Sequence, residues 1–269
     1  MSINLRALFI PLQPTVEQSS DDVSYYEFHP HLGLQSYIYC YWQLNTRTPL
    51  QQKFTYRVVA DGCIDIFFDL DTPKENFVMG FSRKYTEFRL ENSFNYIGIR
   101  FLPTMFPRIF NISAEEVSNR SEYLDAVVPK TASFITNHFH RELQTHQIKQ
   151  LLDAHFMDLI SSITVEPDTR LYDAIEIILR KDGVLNIEKD LDTGISPRQL
   201  RRLFEFYIGD TAKTFSKVVR FQNILRAKPS KQSLRENKLF YGAGYYDQSH
   251  FIKEFKNLYG VTPGKAFGR

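Results

Sequence analysis

The stretch "GYYDQSHFIKEFKNLYGVTP", Gly244–Pro263, decides how this chain is read. A helix that starts at Gln248 sets Phe251, Phe255 and Leu258 on one side. Gln248, Ser249, His250, Lys253 and Lys256 fall on the other, because residues three and four apart are neighbours on a helix. Asp247 stands at the N-cap position. The aromatic side predicts burial, and the polar, basic side predicts a partner.

A second stretch repeats the layout. In "ISPRQLRRLFEFYIG", Ile195–Gly209, Ser196 is the N-cap and Pro197 the first helical residue, and Gly209 lies just past the end. Leu200, Leu203, Phe204 and Tyr207 share one face, while Arg198, Arg201 and Arg202 share another. Each helix follows a weaker helical segment and a glycine turn, with Gly194 before the first and Gly244 before the second. The segment before Gly194, "LNIEKDLDTG", predicts only a short helix or turn. "RLYDAIEIILRKDG" predicts an amphipathic helix that stops at Gly183, and "TAKTFSKVVRFQNILRAK" predicts a long one. "SLRENKLFYGAG" predicts the weaker helix of the second pair. Two units of weak helix, turn and basic helix make two helix-turn-helix motifs. The chemistry suits duplex DNA: the major groove admits one helix, Arg and Lys donate to guanine O6 and N7, and Gln bridges adenine N6 and N7.

Charge follows the same division. From Arg170 to Arg269 there are 19 Lys and Arg against 11 Asp and Glu, while residues 1–169 are net acidic, so the whole chain of 269 residues carries only +2. A basic terminal region joined to an acidic body suits a polyanion-binding module joined to something that need not touch polyanions.

The two basic helices, with the "HF", basic residue, "F" and "G-x-x-P" pattern of Gly244–Pro263, closely resemble the DNA-binding region of AraC/XylS-type bacterial transcription regulators. The match covers roughly residues 170 to 268. The resemblance implies two helix-turn-helix units joined by a central helix, about Ala212 to Ala227, with both recognition helices in successive major grooves on one face of DNA. Arg198, Arg201 and Arg202 would face the groove from the first helix, and Gln248, Ser249 and Lys253 from the second, with His250 and Lys256 nearby. Ala212 stands where the family usually has proline.

The first half reads as strands. Tyr37–Leu44, Phe54–Ala60, Cys63–Leu70, Asn76–Phe81 and Asn95–Leu102 are short and rich in β-branched and aromatic residues, with turn signals at Asp61-Gly62 and Asp71-Thr72-Pro73. Their spacing predicts a barrel or sandwich. Ser113 and Glu116 predict a capped helix as far as Asn119, and a long helical stretch is expected from Lys130 to Ser162, with a surface suited to a dimer. "TVEPDT", Thr164–Thr169, sets the boundary. The expected fold is therefore α+β, with a β-rich, barrel-like regulatory domain and flanking helices over 1–165, and an all-α domain of two helix-turn-helix units over 166–269. The distinctive "YRVVADGCIDIFFDL" resembles the ligand-sensing or dimerising domain of one branch of the same regulators. The favoured reading of Asp61, Gly62 and Asp65 is nonetheless a hairpin turn with Asp65 in solvent. Arg100 and Phe101 suit either a pocket wall or an open sheet face.

Enzyme chemistry finds little support. There is no Gly-rich phosphate loop, nucleophile elbow or His-Glu metalloprotease spacing. His29 and His31 could share a metal as in a cupin-like enzyme, the alternative to a regulator, but no third ligand is evident. His138 and His140 would point to different sides of a helix. Cys40 and Cys63 have no metal-ligand spacing, which also argues against a DNA-repair fusion with zinc-bound cysteines; reduced, buried thiols are expected. No apolar run reaches membrane-spanning length, so a cytoplasmic protein is expected. The expectation is a non-enzymatic, sequence-specific regulator without a cofactor or metal. Its expected partners are double-stranded DNA, a small-molecule effector, a second copy of the chain and RNA polymerase, with no membrane.

Overall fold

The computed structural model describes residues 4–14, 22–163, 168–229 and 244–267. The first half is built on antiparallel strands: β1 (Val23–Phe28), β2 (Ile38–Thr46), β3 (Phe54–Val58), β4 (Ile64–Asp69), β5 (Asn76–Met79), β6 (Thr86–Leu90), β7 (Asn95–Phe101) and β8 (Ser121–Tyr123). Six of them form one sheet in the order β1-β2-β7-β4-β5-β8, and β3 pairs with β6 as a separate ribbon. The β-rich character is as the sequence predicts, but the sheets remain open and do not close into a barrel.

Strand alternation gives the large sheet two different faces. Ile66 and Phe68 of β4, Val78 of β5, and Ile97, Ile99 and Phe101 of β7 are fully buried in the main core. Helices cover this face: α2 (Met105–Phe110), α3 (Leu124–Val127), α4 (Pro129–His138) and α5 (Thr145–Ser161). Phe68 meets Phe139 edge-on at 4.9 Å, and Phe101 meets Phe156 of α5 at 5.6 Å. The opposite face carries Cys40, Trp42 and Leu44, which pack with Tyr56 and Leu90 of the ribbon in a second, smaller core. Gly98 makes room there for the Trp42 ring, since a Cβ at Gly98 would lie 1.9 Å from it.

Two helix expectations need correction. The stretch from Lys130 to Ser162 is two helices. It breaks at Phe139, whose extended backbone turns its ring into the core, and α5 restarts behind a capping box of Gln144 and Gln147. Ser113 opens only a single 3-10 turn, Ala114–Val117, and its side chain makes no cap hydrogen bond. A capping-box pattern sets a start, but this turn has too few residues before the next strand to become an α-helix.

The second half is helical: α6 (Thr169–Arg180), α7 (Ile187–Asp190), α8 (Pro197–Tyr207), α9 (Ala212–Ala227), α10 (Gln248–Tyr259) and α11 (Pro263–Ala266). The helix expected in "SLRENKLFYGAG" and most of the "TVEPDT" boundary lie outside the described residues. α7 is a single turn, as its sequence predicts.

Apolar packing runs without a break between the halves. The N-terminal helix α1 (Leu5–Leu8) and Phe9 sit in the same core as α6 and α9, with Phe9 6.2 Å from Phe215. The arm is pinned by polar groups as well. The Leu12 N–H donates to Gln222 Oε1 at 2.7 Å, and Gln222 Nε2 donates to the Ala60 carbonyl at 2.8 Å. Among the described residues, no helix is long and apolar enough to cross a membrane.

Candidate nucleic-acid interface

The two helices singled out by the sequence are built alike. In α8, Ser196 and Gln199 form a reciprocal capping box and Pro197 occupies the first turn. Leu200 and Phe204 are buried, with Phe204 6.2 Å from Phe215 of α9. In α10, Asp247 accepts from the His250 N–H at 2.7 Å, and Gly260 closes the helix in the left-handed conformation. Phe251, Phe255, Leu258 and Tyr259 are buried, with Phe255 5.4 Å from Phe221. Both helices therefore rest their apolar faces on α9. A reader helix held on one side by aromatic packing keeps its orientation when the other side meets a ligand.

All eight residues named from the sequence are exposed: Arg198, Arg201 and Arg202 on α8, and Gln248, Ser249, His250, Lys253 and Lys256 on α10. They differ in freedom. Arg201 is held by Glu205 of its own helix at 2.7 Å. Arg198, Arg202, Lys253 and Lys256 have no ion pair among the described residues. His250 lies 5.4 Å from the Tyr245 ring and 3.9 Å from Glu254, which draws it toward the inner edge of the helix. Glu254 also accepts from Arg220 of α9 at 2.8 Å, and that guanidinium lies 4.2 Å above Tyr245. This mostly buried set fixes the rotation of α10 about its own axis. Sequence reading gave no role to Glu254 and Arg220, although a lone acidic residue among basic ones on α10 was the available signal.

The far end of α10 is anchored differently. A helix leaves its last carbonyls without intrahelical partners. Here the β-rich half supplies two. The Tyr85 N–H donates to the Asn257 carbonyl and the Ala60 N–H to the Leu258 carbonyl, each at 3.1 Å, while Asn257 Nδ2 returns a bond to the Arg83 carbonyl at 2.9 Å. Gly260 lies against Arg57 of β3, which pairs with Glu87. The first unit is held too: buried Asp210, just after α8, pairs with Arg83, and Gly209 packs on Ser118.

Beneath this junction is a charged cluster. The β4–β7 register sets Asp65 opposite Arg100. Arg100 is 1% exposed and reaches Asp65 at 3.1 Å, Glu27 at 3.3 Å and Asp61 at 3.4 Å. Asp65 also accepts from Trp42 Nε1 at 2.9 Å. Asp65 is thus in the interior and not in solvent, and Arg100 belongs to a buried network, not to an open sheet face. Burial pushes the Asp65 carboxyl up to about 6, against the opposing pull of Arg100. Both cysteines are free and buried, and burial holds their thiols well above the usual range. Among the described residues, no three His, Cys, Asp or Glu side chains gather as metal ligands. His29 instead bonds to Arg6, and α4 ends at His138, leaving His140 beyond it.

Two helices with buried apolar faces and exposed basic faces, seated on one central helix, are the arrangement expected of a helix-turn-helix DNA-binding module. Residues 192–269 match the family described as helix-turn-helix domain, and this part of the chain is an AraC-type helix-turn-helix domain, the DNA-binding part of a transcription regulator. Residues 26–122 match a family described as a domain of unknown function. No curated protein sequence matches the chain. Among solved structures, ToxT of Vibrio cholerae O395 aligns over 93% of this chain and 98% of its own, at 12% identity and a TM-score of 0.44. Wild-type ToxT of V. cholerae strain SCE256 with a bound unsaturated fatty acid aligns over 91% and 94%, at 11% identity and a TM-score of 0.38.

Proposed function

We propose that this protein is a sequence-specific transcription regulator that reads successive major grooves with α8 and α10. The observation that carries the reading is the shared construction of the two helices: each buries an apolar face that includes phenylalanine on α9 and leaves basic and amide side chains in solvent. Arg198, Arg202, Gln248 and Lys253 are assigned to base edges. Arg201, tied to Glu205, and Ser249, His250 and Lys256 are assigned to the phosphate backbone and the rim of the interface. Residues 1–165 form the regulatory part, through which a small-molecule effector acts. A second copy of the chain and RNA polymerase complete the assembly, the former through the outer side of α5, and no catalysis or cofactor is involved. Selection of bound sites from random DNA with the full chain tests this. A regulator of this kind returns one motif with two blocks about one helical turn apart, roughly 34 Å. Recovery of unenriched sequence sinks the reading.

A further inference from the structure

Between the large sheet and the β3–β6 ribbon lies a cavity of about 290 Å³. We propose that it is a binding site for a small organic cation, an ammonium group carried on an apolar or aromatic body. The proposal takes from the preceding reading only that a signal enters through the β-rich half.

Six aromatic rings supply most of the wall: Trp42, Tyr56, Phe67, Phe77, Phe88 and Tyr96. They come from six different strands, and they reach one space because the ribbon lies over the face to which these residues alternate. Phe67 is their hub, 5.4 Å from Phe77, 5.8 Å from Phe88, 6.3 Å from Tyr96 and 6.5 Å from Trp42. Ring faces carry negative partial charge and attract a cation placed over them, more strongly when water is excluded.

The floor has the same sign. Asp65 lines the cavity, and behind it one guanidinium, Arg100, is shared among the carboxylates of Asp65, Asp61 and Glu27. That is an excess of carboxylates over guanidinium groups in a largely buried cluster, where charge is screened less than at the surface. Arg100 is already committed to carboxylates, so it has nothing to offer an anionic ligand. Among the described residues the one cation on the wall is Arg89, which is exposed, as is Glu75. A carboxylate ligand would therefore have Arg89 to set against Asp65 and Glu75. A purely apolar ligand would fill the space but leave the excess charge unanswered. Burial raises the proton affinity of Asp65, against the pull of Arg100 and with a smaller contribution from Asp61.

The chain provides its own reporter, because Trp42 is its single tryptophan. The full chain is titrated with benzyltrimethylammonium, with its uncharged isostere neopentylbenzene, and with octanoate, following Trp42 emission and thermal midpoint. The cation should change Trp42 emission saturably, raise the midpoint, and bind at least about tenfold tighter than the isostere, with octanoate weaker than either. Asp65→Asn should remove at least about tenfold of the cation affinity and leave neopentylbenzene nearly unchanged. Should that variant not fold, Phe77→Leu keeps an apolar wall, removes one ring, and should weaken the cation about threefold or more. Equal binding of isostere or octanoate, unaltered emission at millimolar cation, or parental affinity in the variants that fold would overturn the assignment. DNA binding, measured on the same preparation by fluorescence anisotropy, separates the two readings. Its loss would count against the regulator and leave the Trp42 result standing.

Discussion

The Ala60 N–H donates to the carbonyl of Leu258 at 3.1 Å, so the turn that leads into β4 closes the open end of α10. The same residue's carbonyl accepts from Gln222 of α9. One short segment of the β-rich half thus holds both α10 and the helix α9 that supports it. Gly62, two residues on, turns with φ +77° against Phe215 and Val218 of α9, a conformation and closeness that suit glycine.

Gln222→Ala removes the acceptor of the Leu12 N–H and the donor to Ala60 together. Buried groups left without partners cost about 1–3 kcal/mol each. The variant should lower the urea midpoint of the full chain by an amount in that range or somewhat above it. An unchanged midpoint would mean that the arm and the 59–61 turn are not held through Gln222.

The two faces of α10 should fail differently. Phe255→Ala should destabilise the protein by about 3–5 kcal/mol, through lost burial and a residual cavity. Lys253→Ala should stay within about 0.5 kcal/mol of the parent in stability. It should nonetheless weaken specific DNA binding by about 1–3 kcal/mol, with the loss concentrated at one or two base pairs. Urea titration and competition binding distinguish the two outcomes.

Arg202→Ala should act like Lys253→Ala, but at bases roughly 34 Å away along the duplex. Footprints of the two variants on one selected site would show it. If both weaken the same block, or Arg202→Ala has no effect, only one unit reads DNA.

Arg100→Met should destabilise the fold strongly, by about 3–5 kcal/mol, because carboxylates are left buried without their cation. The pH response has a definite sign. The Asp65 carboxyl titrates near 6 in the folded chain, against 3.8 ordinarily, so between about pH 4 and 6 the folded state holds the extra proton. The contribution of Asp65 to stability therefore falls as pH rises through that window. Facing it are Arg100 from β7, Asp61 and Cys63 from the turn before β4, Cys40 from β2 and Tyr56 from β3, with Glu27 of β1 on the far side of Arg100. Asp65→Asn should lose that downward component, seen as a different slope of urea midpoint against pH between 4 and 6. Parallel slopes would rule it out.

α8 and α10 were legible because their signals are local. In each, an N-cap, an apolar stripe and a closing glycine follow one another directly, from Ser196 to Gly209 and from Asp247 to Gly260. Five strands were legible for a similar reason. β6, with the sequence TEFRL, was not, because only Leu90 is buried and Phe88 half-buried, against a partner strand distant in sequence. Phe139 misled the helix reading, since its apolar side chain suits a helical stripe as well as it suits a break that inserts the ring beside Phe68. Asp65 was misread because a carboxylate beside a turn is usually solvated. Only the pairing of β4 with β7 brings Arg100 opposite it, and no periodicity within either strand reports that register. The cavity was hidden for the same reason, its six rings being spread from residue 42 to residue 96.

The arm at the start of the chain has a consequence in time. Leu12 closes on Gln222 across 210 residues of sequence. At ordinary rates of synthesis the ribosome needs roughly 10–40 s to cover that distance. During those seconds Leu5 and Phe9 have no final partner, and the nascent protein must carry an apolar tail past a finished sheet. When α9 emerges, it meets residues made about 210 positions earlier, a long-range closure of the kind that slows folding. The seat of Leu5 and Phe9 is therefore completed only after α9 has been made, and a product ending before α9 has none.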